Sequence, residues 1–130
     1  MEFRVDERCF ACGKENEWGI KLSFRKEGEE VVSPFIPHPN YQGYAGILHG
    51  GIISTVLDEA MFYAVYFSGE KAATAELTVR FKRPVPVPGE YLVYGRLEEK
   101  KGKLFMASAR LVDKEGKVYA EAKGKFLPVP

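Results

Sequence analysis

Apolar residues crowd all sides of one segment and alternate strictly in several others, and that contrast sets the order of elements. At about 100° per residue, Ile52, Ile53, Val56, Leu57, Ala60, Met61, Tyr63, Ala64 and Phe67 sweep one broad half of a helix. Ser54, Asp58, Phe62 and Val65 cluster on the other side, which is itself mostly apolar. A helix greasy nearly all round is a buried one. Past it, Ala75, Leu77, Val79 and Phe81 alternate with Thr74, Glu76, Thr78, Arg80 and Lys82, the pattern of a half-buried strand. Pro84, Pro86 and Pro88 then make a stiff connection, because proline cannot join a central ladder.

Strands are also expected over Tyr91 to Glu99, Leu104 to Val112 and Val118 to Leu127. Lys100-Lys101-Gly102 and Asp113-Lys114-Glu115-Gly116 supply turn chemistry for antiparallel hairpins between them. Before the helix, Ile20 to Arg25 and Glu30 to Phe35 form another expected pair. Strands, one long helix and a strand meander make an α+β order. No internal repeat appears, and residues 1–130 are expected to form one domain. The stretch Ser33 to Leu48 is a long connection rich in Pro, Gly and Tyr, and such loops are usually functional. His38, Tyr41, Gln42 and Tyr44 lie there and are candidates to line a substrate entrance.

Two carboxylates inside the greasy helix carry the chemistry. An ionised group is expensive in such surroundings, so Asp58 is a site candidate before it is a packing detail. Glu59 points elsewhere, flanked by Ile52, Tyr63 and Tyr66, and the two acids cannot serve one site from this helix. Gly50 and Gly51 open the helix, and glycines there let a ligand approach first-turn N–H groups that have no partner within the helix. Those groups are donors for an anion or a polarised carbonyl. At about 1.5 Å of rise per residue, Asp58 lies roughly 10–12 Å along the axis from the glycines. If both act on one substrate, two helices from two chains must meet.

His49-Gly50-Gly51, followed by an acid nine positions after the histidine within an apolar helix, resembles the hotdog-fold acyl-CoA thioesterases, in particular the phenylacetyl-CoA and 4-hydroxybenzoyl-CoA branches. The run Ala73 to Pro84 resembles the long strand after that family's helix. Cys9-Phe10-Ala11-Cys12-Gly13 through Asn16 and Gly19-Ile20 resembles an N-terminal element of one subset. The resemblance implies an antiparallel sheet wrapped around one long central helix, and hydrolysis of an acyl-CoA-like thioester without a cofactor. It implies that Gly50 and Gly51 polarise the carbonyl while Asp58 of a partner chain acts as base or nucleophile. Thr74, ten residues before Pro84, would match the Ser or Thr that steadies water in some relatives. His49 is a candidate general acid or a helix cap. The Asn or Gln that relatives place six residues before the histidine is Gly43 here, with Gln42 one residue displaced. Arg80, Lys82, Arg83, Lys100, Lys101 and Lys103 are candidates for CoA phosphates. Competing classes are a hotdog acyl-CoA hydratase or dehydratase, whose His-Phe-Pro loop is missing, and a noncatalytic acyl-CoA-binding module.

At 130 residues with 45% hydrophobic and 13% aromatic positions, the chain has enough apolar material for a core. A net charge of +1 offers no polyanion-binding signature, so nucleic acid is not an expected partner. No apolar run approaches a membrane span, and the charged start Met1-Glu2-Phe3-Arg4-Val5-Asp6 is unlike a signal peptide. The expected setting is cytoplasmic, with a homodimer or dimer of dimers. Abundant Lys and Glu beside one glutamine, Gln42, and two asparagines, Asn16 and Asn40, suggest a thermophilic source. Cys9 and Cys12 form a CxxC pair open to three uses: packing and turn formation, redox exchange, or a four-cysteine metal site pooled by two chains. With two distant histidines as the other ligands counted, no closed set exists in one chain, and the expectation is no bound metal.

Overall fold

In the computed structural model, which describes residues 2–130, the helix lies against a six-stranded antiparallel sheet. In chain order the elements are β1 (Arg25–Glu27), β2 (Glu30–Phe35), α1 (Gly50–Tyr66), β3 (Ala72–Phe81), β4 (Tyr91–Lys101), β5 (Leu104–Asp113) and β6 (Val118–Pro128). Across the sheet they run β1-β2-β4-β5-β6-β3, so β3 forms one edge and pairs within the chain only with β6. Met1, the first residue of the charged start, lies outside the described residues.

Residue size explains the curl of the sheet around the helix. On the helix-facing side, Gly95 of β4, Ala109 of β5 and Ala122 of β6 stand in one cross-strand row, continued by Val79 of β3. Larger side chains close the ends: Phe105, Leu111 and Phe126 are all essentially inaccessible to solvent. The small row is a trough, and Val56, Leu57, Ala60 and Met61 of α1 fill it with no exposed surface. Extra residues at Ala75 in β3, Glu98 in β4 and Tyr119 in β6 interrupt the ladders, and each such bulge bends and twists its strand.

Helix and sheet approach closely at Gly95, where an added Cβ would stand 2.1 Å from the Ala60 carbonyl oxygen. That neighbour is helix backbone and cannot rotate away. Gly95→Ala is therefore expected to cost about 3 kcal/mol, through displacement of the helix. Urea unfolding against the parent measures it, and a midpoint unchanged within error would show that the helix has room to move.

Six of the expected elements, α1 and β2 to β6, fall within a few residues of their predicted bounds. The segment expected as Ile20 to Arg25 does not: only Arg25–Glu27 joins the ladder with β2. Continuing the β1–β2 register would set Ser23 opposite Pro34, which has no N–H to donate. Ser23 N–H instead donates to Ser33 Oγ at 2.9 Å, and the backbone N–H groups of Ile20 and Leu22 bond the carbonyls of Phe10 and Ala11. The segment is thereby drawn to the cysteine turn and away from the sheet.

Candidate active site

Asp58 and Thr74 meet. Thr74 Oγ1 donates a 2.7 Å hydrogen bond to Asp58 Oδ1, and among the described residues the second carboxylate oxygen has no recorded partner. Burial pushes the Asp58 carboxyl above its usual range, and the threonine hydroxyl, which favours the charged form, partly offsets this. Simple alternation had set Thr74 on the face opposite Leu77 and Val79. The bulge at Ala75 reverses that: Thr74 pairs with Phe126, whereas Glu76 pairs with Lys125, so Thr74 shares the helix-facing side with Leu77 and Val79.

The helix start is built by His49. Its backbone is extended, and its Nδ1 accepts the Gly51 N–H at 2.9 Å, which makes the histidine the N-cap. The bond leaves the imidazole proton to Nε2. Ile52 and Ile53 N–H groups both bond the His49 carbonyl. Of the glycine donors, then, Gly51 is engaged by the cap, and among the described residues Gly50 N–H has no recorded acceptor. The first turn holds no acidic side chain to offset its positive end. The Phe81 ring stands beside Gly50, within 3.5 Å of where a Cβ would be.

The other expected site residues are dispersed. Gln42 has both ends of its amide committed to its own loop, with Nε2 donating to the Pro39 carbonyl and Oε1 accepting Gly46 N–H. Tyr44 is 85% exposed. His38 caps a short 3-10 turn, accepting Asn40 N–H, and the Tyr41 hydroxyl donates to the Trp18 and Gly19 carbonyls. Arg80 is exposed on the outer face of β3, opposite Glu121. Arg83 donates to the Val118 carbonyl, while Lys82, Lys100 and Lys101 form ion pairs with Glu121, Glu70 and Glu99. Lys103 is exposed.

A second cluster went unrecognised in the sequence. About 100° round the helix from Asp58, Glu59 Oε2 accepts from Cys9 Sγ at 3.3 Å, and Tyr63 donates its hydroxyl to Cys12 Sγ at 3.2 Å. Burial raises Glu59, with hydrogen bonds from Cys12 and Cys9 lowering it in part. Burial likewise pushes the Cys12 thiol and the Tyr63 hydroxyl well up. A cavity of about 530 Å³ opens over this cluster, lined by Cys9, Cys12 and Glu59 together with Phe62, Tyr66 and the N-terminal Phe3 to Asp6. The signal in the sequence was Glu59 itself, an acid on a greasy helix left without a purpose.

A six-stranded antiparallel sheet curled around one long helix is the hotdog fold. The model of the thioesterase superfamily matches residues 45–120, and the chain belongs to that superfamily. Acyl-coenzyme A thioesterase THEM4 of Bos taurus is 35% identical over 122 residues, covering 91% of this chain and 50% of that protein. The chain spans about half the length of the curated relatives it matches. Among solved structures, a thioesterase superfamily protein superposes with a TM-score of 0.86 at 24% identity, over 90% of this chain and 61% of that one. A Streptococcus mutans protein solved bound to acetyl CoA gives 0.77 at 16% identity, over 83% and 88%. No helix among the described residues is long and apolar enough to cross a membrane.

Proposed function

We propose that this chain hydrolyses acyl-CoA-type thioesters to the free acid and CoA, with one domain per chain and an active site completed by a second copy. The observation that carries the proposal is the Asp58–Thr74 pair on an apolar helix whose N-terminus offers Gly50 N–H. Membership of the thioesterase superfamily and the acetyl CoA bound by the Streptococcus mutans protein support the substrate class.

Gly50 N–H takes the thioester oxygen and stabilises the charge that develops there, aided by the helix dipole. Asp58, with one oxygen held by Thr74, receives the proton of an attacking water on the other. Partial desolvation makes that carboxylate a stronger base than a solvated one. The tetrahedral intermediate collapses with loss of the CoA thiolate. His49 serves this scheme as the cap that fixes the helix start, and Gln42 as a brace of the 39–46 loop. Arg80, Arg83 and Tyr44 remain candidates for the CoA end.

Within one chain Gly50 and Asp58 are about 12 Å apart along the helix, so they cannot hold one carbonyl. The free edge of β3 supplies a remedy. Phe81 lies beside Gly50 and Thr74 beside Asp58, at opposite ends of that strand. Antiparallel pairing of β3 with β3 of a second copy, centred on Thr78, opposes like faces and, with the extra residue Ala75 passed over, sets Phe81 across from the other chain's Thr74. Gly50 of each chain then faces Asp58 of the other. The same pairing covers the exposed apolar ring of Phe81 and the open backbone groups of the edge.

A panel of aliphatic and aromatic acyl-CoAs, assayed by release of free thiol, tests the reaction. Turnover on part of the panel is expected. Binding without thiol release across the panel would point to an acyl-CoA-binding module, and conversion of the acyl chain without thiol release to a hydratase.

A further inference from the structure

Independently of the hydrolytic site, we propose that Cys9, Cys12 and Glu59 form a binding site for one zinc-class divalent ion per chain. The ligand atoms available from these three residues lie within 4.8 Å of one another, before any ion draws them together. The two sulfurs come from a rigid turn: Gly13 N–H bonds the Cys9 carbonyl at 2.8 Å, and a Cβ on Gly13 would stand 2.3 Å from the Glu7 carbonyl oxygen. The turn holds both thiols on the side that meets the helix. There Glu59 supplies the third ligand, which a count of cysteines and histidines omits.

Charge makes the same case. Glu59 is half-buried, and among the described residues no basic group forms an ion pair with it. A half-buried carboxylate beside two thiols lacks the cation that would justify its place. Two thiolates and one carboxylate form a donor set suited to zinc. Tyr63 donates to Cys12 Sγ, the kind of outer hydrogen bond that fixes a metal-bound thiolate. Binding displaces the two thiol protons to solvent, so that Zn²⁺, two thiolates and one carboxylate give a site of net charge −1. Arg4 and Lys71 line the cavity above it and moderate that charge. The fourth tetrahedral position faces the cavity and takes water or a small ligand.

The test is titration of the full chain, stripped by chelator and kept reduced without added thiol, with cobalt(II) and then zinc. One cobalt per chain with thiolate-to-cobalt absorption in the near ultraviolet, displaced by zinc, is expected. X-ray absorption of the zinc form should then show two sulfurs per ion at about 2.3 Å. Glu59→Gln should weaken cobalt binding roughly tenfold or more with the fold intact by circular dichroism. Asp58→Asn should bind cobalt as the parent does, which separates this site from the hydrolytic one. Cys9→Ser/Cys12→Ser should lose the absorption. If that double variant does not fold, Glu59→Gln and the sulfur count decide. Absence of the band in the parent, one ion per two chains with four sulfurs, or unchanged affinity in Glu59→Gln would each overturn the proposal.

Discussion

Asp58→Asn is expected to lower thioester hydrolysis about a thousandfold, the order of a general base, while the protein keeps its fold and assembly. The substitution is nearly isosteric, and the amide oxygen still accepts the Thr74 hydroxyl, so the hydrogen bond survives and only the proton acceptor is lost. Removing a carboxylate that burial disfavours should leave the melting temperature equal to or above that of the parent. Loss of rate together with retained or increased stability marks a group placed for chemistry. Turnover within a few-fold of the parent would remove Asp58 from the mechanism. Glu59→Gln, about 100° away round the helix, should alter the rate far less.

Gly50→Pro deletes the free donor with little disturbance, and a fall in rate of about a hundredfold or more is expected. Gly50 is the first helical residue, a position where proline is readily accepted, and the extended backbone of His49 suits a residue before proline. The N–H disappears while the helix remains. Mixing Gly50→Pro with Asp58→Asn gives hybrid dimers in which one site carries both defects and the other carries neither. With random exchange half the dimers are hybrids with one working site of two, so about a quarter of parental activity should return. Native mass spectrometry establishes exchange. No recovery in an exchanged mixture would refute the shared site.

Local pattern was enough for α1 and for the β4–β6 meander, where periodicity, turn residues and core positions agree and no distant partner had to intervene. It failed where a single residue changed the ladder. Pro34 withholds a donor, and Ser33 diverts Ser23, so the segment before Arg25 leaves the sheet although its own alternation suits a strand. Asp58 was legible because an acid on an apolar helix conflicts with its surroundings within a few residues. Its hydrogen bond to Thr74 was harder to foresee, since strict alternation turned Thr74 to the wrong face. The division of labour between Gly50 and Gly51 depends on a rotamer of His49, which pattern does not specify. Glu59, Cys9 and Cys12 are joined across fifty positions of chain, a separation that spacing rules do not reach.

The extra residue at Ala75 also affects how this strand can be compared with others. A strand has two frames, one for each face, and Ala75 shifts the chain from one to the other between Thr74 and Glu76. Residues after it obey one parity and residues before it the opposite. In a homologous strand without the insertion, a hydroxyl reaching the same carboxylate would stand at odd parity with Leu77, Val79 and Phe81. Alignment by simple residue count would then match Thr74 to a residue on the far side of the sheet. A gap of one position at Ala75 restores the correspondence between side chains that share a place in space.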